Sequence, residues 1–126
     1  MSKTQFCIIN VKRLSILRDR YKFFEEHNNY IFKVRSLKSY LKVLIDYYWC
    51  SKKYLKDENL YKNIISSLSN EIKNKCYLMN KEYYKELTVV EKVKYRINSK
   101  SPDIYYFLCV LKHILFQNEI KDFIWV

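Results

Sequence analysis

The stretch SLKSYLKVLIDYYWC, residues 36–50, carries a continuous apolar stripe and determines the predicted fold. The stripe consists of Leu37, Tyr40, Leu41, Leu44, Ile45 and Tyr48. Its intervals bring these side chains to one side of an α-helix, where they can pack into a core. The pattern predicts a helix over residues 37–55, with Ser36 capping its N-terminus.

Two further stretches downstream show helical signals. Residues 59–78 contain a second stripe, made up of Leu60, Tyr61, Ile64, Ile65, Leu68 and Ile72. Thr88 and Glu91 have the spacing of a capping box, in which each side chain bonds the other residue's backbone N–H. They predict a helix over residues 89–97, and Asn80 is expected to cap a short helix before it.

The last predicted helix covers residues 102–118 and is apolar on nearly every side. Ser101 suits the N-cap and Pro102 suits the first helical position. Asp103 places a negative charge near the positive end of the helix dipole. Because a helix that is apolar all round favours burial, we expect this one to be the central helix of the fold.

The N-terminal region gives a mixed pattern. QFCIINV, residues 5–11, and YIFKV, residues 30–34, are β-branched and aromatic and predict two short strands that could pair. Between them, apolar residues at helical spacing predict a helix to about residue 26, followed by a turn at residues 27–29. The sequence predicts a mainly α fold, a compact bundle of about five helices with a minor β element near the N-terminus. We expect residues 1–126 to form a single helical domain.

Positive charge is concentrated in the first half of this basic chain, whose net charge is +11. Residues 1–56 hold 13 basic and 4 acidic residues, whereas residues 57–126 hold 11 and 9. The abundance of Lys, Asn, Ile and Tyr, with no Gly or Ala, indicates an AT-rich genome, but codon bias does not explain this asymmetry. It predicts an anion-binding surface. Its candidate residues are Arg13, Arg20, Arg35, Lys38, Lys42, Lys52, Lys53 and Lys56.

One part of this basic region also carries aromatic residues. Tyr47, Trp49 and Tyr54 are close in sequence to Lys52, Lys53 and Lys56. Aromatic rings beside basic side chains can stack on the bases of a nucleic acid or hold another anionic ligand. These residues are therefore a candidate ligand site, while most other tyrosines in apolar stripes are expected to pack in the core.

The sequence gives no catalytic, cofactor or metal residues to propose. Phosphate-binding loops need glycine, and the chain has none. Cys109 and His113 lie four residues apart, but no third group that would orient them for catalysis can be identified. The adjacent Glu25 and Glu26 point in different directions on a helix and do not form an acid–base pair.

The cysteines and the apolar runs favour a cytoplasmic protein. Cys7, Cys50, Cys76 and Cys109 lack the close spacing of metal or redox motifs, and we expect them to be reduced thiols. The longest apolar run, at residues 104–111, is far shorter than the roughly 20 residues of a membrane-spanning helix.

Three stretches resemble the helical tails of bacterial family-2 glycosyltransferases. They are RSLKSYLKVLIDYYWCSKKYL at 35–55, ENLYKNIISSLSNEI at 58–72 and SPDIYYFLCVLKHIL at 101–115. The first residues, FCIINVKR at 6–13, also resemble the opening strand of lipooligosaccharide-type glycosyltransferases. Those enzymes use a D-x-D motif to hold a metal and a sugar nucleotide, and this chain has no D-x-D. The resemblance therefore implies an accessory region, with no catalytic residue to carry over.

We expect a non-catalytic, basic helical module that docks on a protein partner or on an anionic surface such as a membrane. Two alternatives remain open. The chain could be a small basic nucleic-acid-binding protein, of viral, phage or organellar origin, because its charge suits a polyanion. It could also be a protein-interaction factor, such as an inhibitor or an assembly subunit.

Overall fold

The computed structural model describes the backbone of residues 3–54 and 61–117, and the side chains of residues 12–53 and 62–115. These residues form five α-helices, without a strand. In chain order they are α1 (Lys3–Glu26), α2 (Tyr30–Tyr54), α3 (Tyr61–Glu82), α4 (Val89–Lys100) and α5 (Pro102–Gln117), with a 3-10 turn at Tyr84–Glu86. The mainly α fold class is confirmed.

Both predicted strands are wrong, because residues 5–11 lie inside α1 and residues 30–34 form the start of α2. Isoleucine and valine cost only a fraction of a kcal/mol each in a helix, so a short β-branched run does not prevent one. The cap of α2 is also displaced from the prediction. Asn29 Oδ1 accepts a hydrogen bond from the Phe32 backbone N–H at 3.3 Å. Ser36 is buried inside α2, where its hydroxyl donates to the Lys33 carbonyl at 3.0 Å.

The predicted turn between the first two helices is confirmed. Asn28 has a φ of 54°, in the left-handed region that ends many helices. The Asn29 N–H bonds the Phe24 carbonyl and the Asn28 N–H bonds the Glu25 carbonyl, which is the Schellman arrangement. Glycine usually occupies this position, and asparagine is the next most tolerant residue, so a chain without glycine can still reverse here.

The core is organised around α2, which packs against α1 and α3. Nine of its apolar side chains are buried: Val34, Leu37, Tyr40, Leu41, Val43, Leu44, Ile45, Tyr47 and Tyr48. α3 adds Leu68, Ile72, Cys76 and Met79 to the same core. The stripe of residues 37–48 is therefore the central apolar surface of the fold, as its spacing indicates.

The expectation that the last helix is the most buried one is wrong. α5 packs mainly against α4, and its large apolar side chains remain exposed, including Phe107 at 64% and Leu108 at 43%. The cap of α5 is nevertheless as predicted, with Ser101 Oγ accepting from the Ile104 N–H at 3.3 Å. Local sequence signals therefore determine where α5 begins, whereas its burial depends on which other helices pack against it.

Of the two helix caps predicted between α3 and α5, one is confirmed and the other is wrong. Thr88 and Glu91 form the predicted capping box at the start of α4. Asn80 lies within α3, which continues to Glu82, so it does not cap a new helix. The apolar stripe of α3 extends through Met79, whose side chain is fully buried, and this burial favours the longer helix.

Candidate functional site: a basic cleft and an apolar helix face

A cleft of about 380 Å³ separates α2 from α4 and is completed by one residue of α5. α2 contributes Lys38, Ser39, Lys42, Ile45, Asp46 and Trp49. α4 contributes Glu91, Lys94 and Tyr95, and α5 contributes Tyr105. The α2 residues recur at helical spacing, so they form one face of that helix. We call this feature the α2–α4 cleft.

An ion pair joins the two helices at one end of the α2–α4 cleft. The Lys38 ammonium lies 3.1 Å from a Glu91 carboxylate oxygen and donates to the Glu86 carbonyl at 3.0 Å. The capping box holds that carboxylate, since the Thr88 N–H donates to it at 2.9 Å. Burial opposes ionisation of Glu91, but the Thr88 hydrogen bond and the Lys38 charge together lower its pKa.

At the other end of the α2–α4 cleft, polar and aromatic contacts join α2 to the start of α5. The Tyr48 hydroxyl donates to Asp103 at 2.6 Å, and the Lys52 ammonium pairs with the same carboxylate. The Trp49 ring lies 5.9 Å, centroid to centroid, from the Tyr105 ring. Asp103 occupies the first turn of α5 because the helix begins at Pro102, so the predicted cap places this carboxylate opposite α2.

Several polar groups along the cleft have no protein partner within the described part of the chain. The Trp49 indole Nε1 is buried and makes no hydrogen bond there. Lys42 and Lys94 line the cleft, and neither is paired with a carboxylate of the described residues. Asp46 supplies the one carboxylate of the lining besides Glu91, which is paired with Lys38.

Two tyrosines, Tyr95 and Tyr105, contribute aromatic rings to the cleft. Burial raises the pKa of both phenols, so both remain protonated at neutral pH. The Tyr105 hydroxyl is also hydrogen-bonded to Cys109. The cleft therefore combines ammonium groups with aromatic walls, a composition suited to an anionic ligand with an apolar body.

A second feature is the outer surface of α5, which we call the α5 apolar face. It consists of Ile104, Phe107, Leu108, Leu111, Ile114 and Leu115. Their spacing places all six on one side of the helix, without a charged residue among them. Their exposed fractions range from 39% to 64%. A contiguous apolar surface of this kind is typical of a binding interface.

The structure brings together only part of the predicted anion-binding surface. Lys38 and Lys42 line the α2–α4 cleft, and Lys52 is paired with Asp103 beyond its far end. Arg13, Arg20, Arg35 and Lys53 are exposed on α1 and α2 but do not line the cleft. Lys56 lies outside the described residues.

The aromatic residues predicted as one ligand site do not lie together in the cleft. Trp49 lines the cleft, whereas Tyr47 is buried in the core at 7% exposure. The side chain of Tyr54 lies outside the described part of the chain. Lys94 and Tyr95 were not predicted as site residues. Their spacing from Glu91 shows only that they share one side of α4 with it. That side becomes a cleft wall because α2 and α4 both pack against α3.

The cysteines do not form a metal or disulfide site among the described residues. Cys50, Cys76 and Cys109 are free thiols, and burial raises the pKa of Cys76 to about 12. The side chain of Cys7 lies outside that part. Within the described residues, there is no group of three or more His, Cys, Asp or Glu side chains suited to a metal ion.

No family model matches this chain, and no match is found among curated proteins or solved structures. Among the helices that the structure describes, none combines the length and the apolar character needed to cross a membrane.

Proposed function

We propose that this chain is a non-catalytic helical docking module that binds a protein partner through the α5 apolar face. The observation that carries the proposal is the exposure of six large apolar side chains along one side of a helix. Burying a Leu, Ile or Phe side chain contributes roughly 1.5–3 kcal/mol when it leaves water completely. Contact with a partner would recover part of that free energy at each of the six positions.

The charge of the chain favours an acidic partner. The net charge is +11, and Lys112 lies beside the apolar face on α5. An acidic rim around an apolar binding surface would attract this chain and orient it during association. A second copy of the chain would carry the same positive charge, which opposes pairing at moderate salt. The proposed partner is therefore an acidic protein that presents an apolar helix or groove.

The resemblance to glycosyltransferase tails adds one class of partner to this proposal. A catalytic glycosyltransferase domain would be the first partner to test. The apolar residues of the face fall within the stretch 101–115 that carries this resemblance. The proposal assigns the chemistry to the partner, and it gives this chain the role of holding that domain in place.

A binding titration with a model partner tests the proposal. The probe is a 20-residue amphipathic peptide made of Leu, Ala and Glu, with leucines on one helix face and glutamates on the other. We expect the full chain to bind it, with an affinity that falls as salt rises, and Phe107→Asp to weaken binding by about ten-fold or more. Phe107 is 64% exposed, so this substitution should leave helicity and thermal stability almost unchanged.

A matched variant shows whether the effect belongs to α5. Tyr77 lies on α3 and is 60% exposed, close to the exposure of Phe107. Tyr77→Asp should bind the peptide as the unmodified chain does. Equal losses in both variants would refute the assignment to α5, and so would sedimentation equilibrium showing a stable dimer that Phe107→Asp dissociates.

A second candidate function, binding of a polyanion, rests on a different surface. Arg13 and Arg20 lie seven residues apart on α1 and share one side of it, and both are exposed. Arg35 is exposed near the start of α2, and α2 packs against α1. No carboxylate of the described residues pairs with these three guanidinium groups. This arrangement favours contact with nucleic-acid phosphates or anionic lipid headgroups, and binding to nucleic acid compared with binding to anionic vesicles separates the two.

A further inference from the structure

We infer that the α2–α4 cleft is a binding site for a small organic anion, with an aromatic or aliphatic body and a carboxylate or phosphate group. This site is separate from the α5 apolar face and does not depend on it. Its volume of about 380 Å³ lies in the lower part of the range found for small-molecule pockets. Three features of the lining point to the ligand class.

The first feature is a buried donor without an acceptor. The Trp49 Nε1 atom is shielded from solvent and has no hydrogen-bond partner in the described part of the chain. Leaving such a group unpaired is unfavourable. A ligand oxygen would reach this N–H once the Trp49 side chain shifts on binding, so the site favours a ligand rich in acceptors.

The second feature is the charge balance. Lys38 is already neutralised by Glu91, at 3.1 Å. Lys42 and Lys94 then face a single carboxylate in the lining, that of Asp46, which leaves an excess of one positive charge. A carboxylate or phosphate bridging the two free ammonium groups would be held from both helices.

The third feature is the apolar part of the wall. Ile45, Trp49 and the rings of Tyr95 and Tyr105 line the same cleft as the two lysines. Aromatic rings favour a flat apolar body, which they can contact by stacking or edge-on. A bare inorganic anion would leave this surface in water, and an uncharged aromatic compound would leave the lysines without a partner. The combination therefore selects a ligand that has both parts.

NMR titration with 1-naphthyl phosphate tests the inference, because the Trp49 indole N–H is itself the reporter. The chain has two tryptophans, and the Trp49→Phe variant assigns the Trp49 indole signal. We expect a saturable shift of that signal, with a dissociation constant of about 1 mM or lower. Inorganic phosphate and 1-naphthol, each with one part of the probe, should bind about ten-fold more weakly or not at all.

Substitutions then locate the site. Lys42→Met combined with Lys94→Met should weaken binding of 1-naphthyl phosphate by about ten-fold or more. Lys62→Met combined with Lys85→Met removes two exposed lysines outside the cleft and should leave the affinity unchanged. Both double variants keep the side-chain length and should remain folded, which the dispersion of their spectra verifies.

Four results would overturn the inference. They are the absence of a saturable shift, an unchanged affinity in the Lys42→Met, Lys94→Met variant, equal binding of inorganic phosphate, and loss of binding in Phe107→Asp. The last result would place the naphthyl ring on the α5 apolar face instead. The first three results do not concern the α5 apolar face, and the peptide titration can fail without changing the Trp49 signal, so the two proposals fail distinguishably.

Discussion

The Lys38 ammonium of α2 lies 3.1 Å from the Glu91 carboxylate of α4, and this pair closes one end of the α2–α4 cleft. The same carboxylate accepts the Thr88 backbone N–H at 2.9 Å, so the capping box of α4 also orients the ion pair. A signal that is local in sequence thereby fixes a contact between helices that are far apart in the chain. It follows that substitutions at Glu91 should alter both helix capping and the α2–α4 contact.

The first prediction concerns acid stability. Glu91 has a lowered pKa in the folded chain, so its contribution to stability is present above the ordinary pKa of 4.5 and is lost as pH falls through the lower folded pKa. Glu91→Gln should lower the free energy of unfolding at pH 7 and should make it less sensitive to pH below about 4.5. Urea denaturation between pH 7 and pH 3 measures this, with the exposed Glu82→Gln as control. Parallel pH profiles for the original chain and Glu91→Gln would contradict it.

The second prediction concerns the N-cap of α4. Thr88→Ala removes the side-chain oxygen that accepts the Glu91 N–H at 3.1 Å, and it should cost about 1 kcal/mol of stability. Thr88→Ser keeps the oxygen and should restore most of that loss. The measurement is the urea midpoint of each variant. Equal destabilisation by alanine and serine would show that the hydroxyl does not cap α4.

The third prediction compares two leucines. Leu44 on α2 is fully buried, and Leu44→Ala should cost roughly 2–5 kcal/mol by removing core contacts and leaving a cavity. Leu108 on α5 is 43% exposed, so Leu108→Ala should cost less than about 1 kcal/mol. The sequence alone favours a large cost at Leu108, because it predicts a central α5. Chemical denaturation of the two variants decides whether α5 lies in the core or at the surface. A loss of stability in Leu108→Ala as large as that in Leu44→Ala would place α5 in the core.

Local patterns predict the helices of this chain better than they predict its burial. The stripe that includes Leu37 and Leu44, the Thr88–Glu91 box and the Ser101–Pro102 start each depend on residues within one or two turns of one another. These signals can be read without knowing the rest of the fold. The segments 5–11 and 30–34 lie in helices although their sequences suit strands, because short apolar runs do not distinguish a helix from a strand.

Burial and the cleft depend on contacts between distant segments. The composition of α5 indicates an apolar helix but not which element covers it, and the structure leaves Phe107 largely exposed. Lys42 and Lys94 are 52 positions apart, so their common cleft follows only from the tertiary fold, in which α2 and α4 both pack against α3. This is why the sequence predicted Lys42 as a basic surface residue and missed Lys94 as a site residue.

The fourth prediction concerns the buried thiol. Cys76 is fully buried, and burial raises its pKa to about 12, so little thiolate forms near neutral pH. We expect Cys76 to resist alkylation by iodoacetamide at pH 8 in the native chain and to react once the chain is unfolded in urea. Peptide mass spectrometry follows this residue separately from the other cysteines. Native labelling of Cys76 at the unfolded rate would show that the α3 core is open.

The fifth prediction tests the polyanion alternative. If the exposed arginines form one binding surface, affinity for duplex or single-stranded nucleic acid should fall with salt on a log–log slope of about −0.7 to −0.9 per phosphate neutralised. Neutralising Arg13, Arg20 and Arg35 together should flatten the slope. Lys38 is already paired with Glu91, so neutralising Lys38 alone should change it little. Equal slopes in the original chain and the triple variant would rule out this surface.

Anionic vesicles provide the parallel measurement for this surface. Preference for vesicles of phosphatidylserine and phosphatidylcholine over nucleic acid at about 0.15 M salt would support a module docked near a membrane. Preference for nucleic acid would support the nucleic-acid-binding alternative. Binding to neither at that salt would leave the α5 apolar face as the interaction surface of the chain.

The most direct test of the docking proposal is photo-cross-linking from the α5 apolar face. The full chain carries p-benzoylphenylalanine at position 107, and it is irradiated with the acidic amphipathic peptide before mass spectrometry. We predict cross-links from position 107 to the leucines of the peptide, and much weaker cross-linking when the probe is placed at position 77 on α3. Cross-links that join position 107 only to residues 118–126 of the same chain, or only to a second copy, would contradict the proposal, because the face would then be covered without a partner protein.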